Sequence, residues 1–232
     1  MQHEDRIQQL EQENAFLKAE LRKRGYFYLS ANEKLSTIDK IEIYLSYFRG
    51  RPDVYAERYF RKKHQKFGWN PACDRSFQAG CKKGKIKNHC SICPISQFPS
   101  LDGVILKHHF TGKLTCEGIG IYPLLTDNTC YLLAMDFDED NWFDDMLSVY
   151  KTALRFEIYP LMERSSSGQG GHLWLFFESP VKALKARKLG SLLIQEAIEG
   201  NKNLNFNSFD RMFPNQDYLP QGGLGNLIAL PL

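Results

Sequence analysis

The segment YLLAMDFDEDNW carries the clearest chemistry in this chain. An apolar run, Tyr131–Met135, delivers Asp136 and Asp138. In a strand, side chains at i and i+2 point to the same side, so the two carboxylates are forced together. Side by side they repel unless a cation lies between them, and an all-oxygen donor set suits Mg²⁺ or Mn²⁺ better than zinc. The same pattern also fits a charged turn at a strand end. Glu139 and Asp140 are expected to be solvated.

Two further segments can add to this pair. In ERSSSGQGGHLWLFF, Gly168, Gly170 and Gly171 leave backbone N–H groups free to cradle phosphate. The following strand opens with His172, and alternation puts His172, Trp174 and Phe176 on one face and Leu173, Leu175 and Phe177 on the other. In NSFDRMFPNQDYLPQGG, Asp210 ends a short strand and can supply a third carboxylate. Asp217 is the competing acid, on an expected loop after Pro214.

Four of the six cysteines fall in one stretch, Cys73-x7-Cys81-x8-Cys90-x2-Cys93. Four thiolates in so short a span can close a tetrahedral zinc site, with His89 as a possible replacement ligand; buried free thiols are the alternative. Cys116 and Cys130 are isolated and read as core residues.

The 232 residues carry 30 Lys+Arg and 27 Asp+Glu, a net charge of +3. That small value hides an asymmetry. From Arg49 to Cys93 there are 12 Lys/Arg against three acids, a local +9, leaving −6 elsewhere. The basic stretch is interleaved with Tyr55, Tyr59, Phe60, Phe67 and Trp69, a composition that suits phosphates and stacked bases. At 43% hydrophobic and 25% charged, the chain is ordinary globular material. No apolar run is long enough to span a membrane and no signal peptide is visible, so the expected location is the cytoplasm.

The elements that must position these residues follow from periodicity. Ile7, Leu10, Asn14, Leu17 and Leu21 fall at heptad positions of a helix over residues 1–24. Either a parallel coiled-coil homodimer or one helix packed on its own domain fits that pattern. Residues 33–48 read as a second helix. Strands are expected at 118–124 and 130–136, joined by the Thr126-Asp127-Asn128 turn. A helix over 141–157, a strand over 172–177, a helix over 183–199 and strands at 205–210 and 227–230 follow. The order from residue 118, β-β-α-β-α-β-β, predicts an α/β or α+β sheet with helices on one face.

Six segments in this order resemble the archaeo-eukaryotic primase superfamily, and more closely the primase-polymerase domains of TOTE-type conflict systems, often fused to helicases. They are FRGRPDVYAERY, the cysteine cluster, IGIYPLL, LAMDFDEDNW, ERSSSGQGGHLWLFF and DRMFPNQDYLPQGGLGNLIALPL, spanning roughly residues 45–232. The resemblance implies an α+β, RRM-like palm. With the cysteine cluster and the N-terminal heptads, the expected division is a coiled-coil helix (1–24), a helical basic region with the zinc-binding cysteines (25–100) and a catalytic palm (101–232).

The implied activity is template-directed nucleotidyl transfer to DNA from dNTPs or NTPs, with release of pyrophosphate. Asp136, Asp138 and Asp210 would hold two Mg²⁺ or Mn²⁺ ions. His172 would contact the nucleotide's phosphates, with Ser165, Ser167 and Gly170 lining the turn and Arg164 and Arg211 as phosphate or template contacts. Cys73, Cys81, Cys90 and Cys93 would hold structural Zn²⁺. The family usually carries a basic residue where this chain has Ser166, so one phosphate contact is expected to be absent or supplied from elsewhere. A nucleic-acid-binding module with an inactive site and a metal-dependent nuclease are the competing readings. The end at Leu232, just after an apolar strand, leads one to expect a catalytic unit of a longer protein, with a helicase fused or associated.

Overall fold

The computed structural model describes residues 6–13, 15–16, 35–62, 64–83, 89–200 and 206–231. No helix among them is long and apolar enough to cross a membrane. The chain divides into two units, residues 1–44 and 45–232. In the first, residues 6–13 and 15–16 are helical. Asn14, Leu17 and Leu21 lie outside the described residues, and the coiled-coil expectation with them. Helix α1 (Thr37–Tyr47) starts at a reciprocal cap: the Asp39 N–H donates to Ser36 Oγ (3.1 Å) and the Ser36 N–H to an Asp39 carboxylate oxygen (3.0 Å).

The second unit is a mixed α/β fold built on two four-stranded antiparallel sheets. Its strands are β1 (Ala56–Arg61), β2 (Lys66–Pro71), β3 (Gly118–Ile121), β4 (Thr129–Asp138), β5 (Leu161–Arg164), β6 (Gly170–Lys182), β7 (Phe209–Phe213) and β8 (Ile228–Ala229). One sheet has the order β2-β1-β3-β8, the other β5-β6-β4-β7. The helices are α2 (Gly103–Phe110), α3 (Trp142–Arg155) and α4 (Ala183–Gly200).

Several expectations are corrected here. The basic region is not wholly helical: its alternating AERYFR and KFGWNP runs pair as a hairpin. Residue 100 is no boundary either, because that hairpin shares a sheet with β3 and β8. The strands at 118 and 130 are not hairpin partners; they belong to different sheets, and the Asp127–Asn128 turn carries the chain between them. The chain also contains β5 and α2, which periodicity did not mark.

The alternation in β4 divides the second sheet into two environments. Leu133, Met135 and Phe137 face helices α3 and α4, and are buried with Met146, Val149, Leu173 and Leu193. Leu132, Ala134 and Asp136 face the other way, paired with Phe176, Trp174 and His172 of β6. Phe48 covers part of this second face, packing edge-on to Trp174 (5.0 Å) and Phe176 (5.3 Å). Phe137 is fully buried and packs on Phe209 of β7, ring centroids 5.6 Å apart. Phe137→Ala should therefore cost about 3–5 kcal/mol, read as a lower urea midpoint with an unchanged slope.

Candidate active site

Strand β4 is the centre of the site, and its two neighbours bring the remaining groups to it. On one side Asp136 lies directly opposite His172 and Asp138 opposite Gly170 of β6. On the other side Asp136 pairs with Arg211 and Phe137 with Phe209 of β7. Two residues of β4 thus span three of β7, leaving Asp210 as the extra residue of a bulge. Bulges re-aim side chains, and this one turns Asp210 toward the aspartates of β4. The ligand oxygens of Asp136, Asp138 and Asp210 all lie within 4.8 Å of one another. Among the described residues this is the group of three or more metal-ligating side chains that meets such a spacing.

Crowding of like charge is visible in the titration of Asp138. Burial pushes its carboxyl above the ordinary value, and the Asp136 and Asp210 charges push it further, against the opposing pull of His172. A divalent cation would relieve that repulsion, and three hard oxygen donors fit Mg²⁺ or Mn²⁺.

His172 is held between two carboxylates. Its Nδ1–H donates to Glu163 Oε2 (2.9 Å), and its Nε2 lies 3.4 Å from Asp136 Oδ1. Burial disfavours the charged ring, but the bonds to Asp136 and Glu163 outweigh it and raise the pKa to about 9. The same Glu163 oxygen accepts from Trp174 Nε1 (2.7 Å). Glu163 comes from β5, directly across from His172. The sequence reading did not single Glu163 out, because LMER is a four-residue strand without clear alternation.

Gly170 is needed for close approach. A Cβ there would come within 2.6 Å of the Phe137 carbonyl and 2.3 Å of Asp138 Oδ1. Ser165 and Ser167 sit in the β5–β6 turn, their hydroxyls 3.0 Å apart. Arg164 turns back to donate to the Gly168 carbonyl (2.9 and 3.2 Å), bracing that turn. Arg211 donates to Asp210 (2.6 Å). Asp217, the competing third acid, is instead ion-paired with Arg187 of α4.

A buried support lies behind the triad. Ser208 Oγ donates to Asp145 of α3 (2.6 Å), while the Ser208 carbonyl accepts from the Asp138 N–H (2.7 Å). Asp145 is 1% exposed. Its link to Ser208 fixes the chain just before β7, and hence the position of the bulge.

Asp136, His172 and Arg211 line one wall of a cleft of about 740 Å³. Trp69 and Asn70 of β2, Tyr122 and the glycine-rich segment Gly223–Ala229 also line it. Cys90 and Ser91 also reach this cleft. Behind them, Cys73, Cys81, Cys90 and Cys93 line one small cavity. Backbone N–H groups point at two of the sulfurs, Gln97 to Cys73 Sγ (3.4 Å) and Lys83 to Cys81 Sγ (3.5 Å). Burial raises the Cys90 thiol pKa and the other three cysteines raise it further, against Lys83.

On two antiparallel sheets the structure thus brings three carboxylates and a histidine together as a candidate divalent-metal site. The family model for the archaeo-eukaryotic primase domain of TOTE conflict systems matches residues 39–232, and the chain belongs to that family. Among solved structures, the polymerase domain of ligase D from Mycobacterium tuberculosis, in complex with DNA, is similar at 11% identity and a TM-score of 0.41. That match covers 71% of this chain and 63% of the solved one. No curated protein matches the sequence.

In metal-free protein, ring NMR of His172 should titrate with a midpoint near 9. Because that value lies above the ordinary 6.5, the stability His172 contributes is complete below about 6.5 and is lost as pH rises through 9. Glu163→Gln should lower the midpoint while leaving the fold's circular dichroism unchanged. An unmoved midpoint would remove Glu163 from its assigned role.

Proposed function

We propose that the chain is a DNA primase-polymerase that joins nucleotides to a 3′ end on a template strand, releasing pyrophosphate. The observation that carries this reading is the convergence of Asp136, Asp138 and Asp210, with Asp136 and His172 lining one large cleft. Family membership supports nucleotidyl transfer as the class of reaction. The sheet β5-β6-β4-β7 with α3 and α4 is the palm in this reading.

The three aspartates would hold two Mg²⁺ or Mn²⁺ ions, which when bound supply an activated 3′-hydroxyl and charge neutralisation on the triphosphate. His172, kept protonated by Glu163, presents its Nε2–H toward the cleft and is suited to donate to a phosphate oxygen. Arg211, on the same wall, adds a second positive charge for the triphosphate or the template. The dNTP or NTP would occupy the cleft between Asp136 and the Gly223–Ala229 segment, with primer and template DNA alongside. Ser165, Ser167 and Arg164 act by fixing the turn that places Gly170 and His172.

The four cysteines are proposed to hold one structural Zn²⁺. Their shared cavity and the N–H groups aimed at Cys73 and Cys81 support this, since thiolates in zinc sites commonly accept such bonds. Purified protein should contain about one equivalent of zinc per chain by elemental analysis. A metal-free protein with intact thiols and normal stability would overturn the site.

With primed template, dNTPs and Mn²⁺, the wild-type chain should lengthen the primer. Asp136→Ala and Asp138→Ala should each lower extension by at least about a thousandfold, as expected when a metal ligand at the reaction centre is lost. Strand shortening would instead indicate a nuclease. Binding without extension would indicate a nucleic-acid-binding module.

A further inference from the structure

The β1–β2 hairpin carries a surface that the reaction chemistry does not use. Its register pairs Arg58 with Trp69 and Phe60 with Phe67, so these four side chains share one face. Trp69 lines the cleft that holds Asp136 and His172. One i to i+2 step outward along β2, about 7 Å, stands Phe67, and opposite it Phe60. The two rings meet edge to face at 5.1 Å. The Arg58 guanidinium lies over the Phe67 ring at 4.0 Å.

Buried aromatics would be core, but these are not. Phe67 is 50% exposed and Phe60 38%. Neighbouring Arg61, Lys62, His64 and Lys66 are exposed as well. No acid occurs between Glu57 and Asp74, so nothing in this stretch of sequence offsets their charge. On the opposite face Arg61 folds over Tyr59, donating to its hydroxyl at 2.6 and 2.9 Å. That leaves the Phe60–Phe67 face open.

We infer that this face is the docking track for the single-stranded part of the template, running from the cleft wall at Trp69 to the hairpin tip. The inference rests on the template-directed reading above and names the surface that reading lacks. Exposed rings with flanking cations are what a single strand requires. Its bases, unpaired, stack on π faces, and its phosphates meet Arg and Lys. A duplex hides its bases and could use only the charges. Arg58 fits the same purpose, because a guanidinium plane stacked on a ring can also stack on a base. Trp69 marks the inner end of the track, at the wall of the catalytic cleft.

The test measures binding of the full chain to a fluorescent single-stranded oligodeoxynucleotide by anisotropy, without added divalent metal or nucleotide. Phe60→Ala/Phe67→Ala should weaken binding about tenfold or more. Phe60→Tyr/Phe67→Tyr, which keeps the π faces, should stay within about twofold of wild type. Lys62→Ala should reduce the slope of log affinity against log salt by about 0.7, for one lost phosphate contact. Blunt duplex of equal length should lose far less affinity than the single strand in the alanine pair. Wild-type affinity in the alanine pair, with its thermal melt unchanged, overturns the proposal. So does equal loss for single strand and duplex. Should the alanine pair fail to fold, a tyrosine pair that folds but loses binding overturns it. The outcomes also separate the two readings: a wild-type chain that binds the strand but never extends a primer fails the catalytic reading alone. One that extends with an indifferent hairpin fails this proposal alone.

Discussion

The register of β4 against its two neighbours is the constraint on which the rest of the structure depends. It sets Asp136 across from His172 and Asp138 across from Gly170, and through the bulge it adds Asp210. Side chains alternate with a period of two, so a slip of one residue would turn both aspartates toward helices α3 and α4 and turn Leu133, Met135 and Phe137 outward. The apolar face therefore fixes the polar one. Packing of Phe137 on Phe209 pins β7 in the same way, because that contact places the residue after Phe209 on the acidic side.

A site held so firmly is electrostatically costly. Burial and the neighbouring Asp136 and Asp210 charges raise the Asp138 pKa, and His172 and Arg211 partly offset the crowding. Those two cations neutralise the cluster only in part. His172 is shared with Glu163, and Arg211 is engaged with Asp210 alone at its Nε. The residual negative charge suits the three carboxylates to hold a divalent cation. Glu163 keeps the His172 ring oriented, bonded to Nδ1 while Nε2 faces Asp136.

Much of the site was legible because it depends on alternation. The DxD pair, its shared face and the split of His172, Trp174 and Phe176 from Leu173, Leu175 and Phe177 all follow from a period of two. Family membership of residues 39–232 agrees with the resemblance drawn from the six segments. The parts that were not legible depend on pairing between distant strands. A bulge has no local signature in FDRMF, since the extra residue exists only relative to β4. Strand β5 has four residues and no clear alternation, so Glu163 stayed hidden although it is two residues from the first serine of the Gly-rich turn. The hairpin at 56–71 was obscured by its charge: Arg and Lys draw attention to a partner and away from the pairing that presents them. The two-sheet arrangement was likewise invisible, because β1 and β8 stand more than 160 residues apart in sequence order and meet only through β3.

That long-range sheet explains why the cysteine segment lies where it does. The segment connects β2 to α2, and its His89–Ile92 turn places Cys90 where it lines both the cleft and the small cavity shared with the other three cysteines. Residues 73–98 contain no strand and bury few apolar side chains among those described, so hydrophobic packing alone gives this loop little reason to hold one shape. A cross-link among its cysteines would supply that order locally. The part of the cleft lined by Cys90 and Ser91 would then owe its shape to sulfur chemistry, and the part lined by Asp136, His172 and Arg211 to strand register.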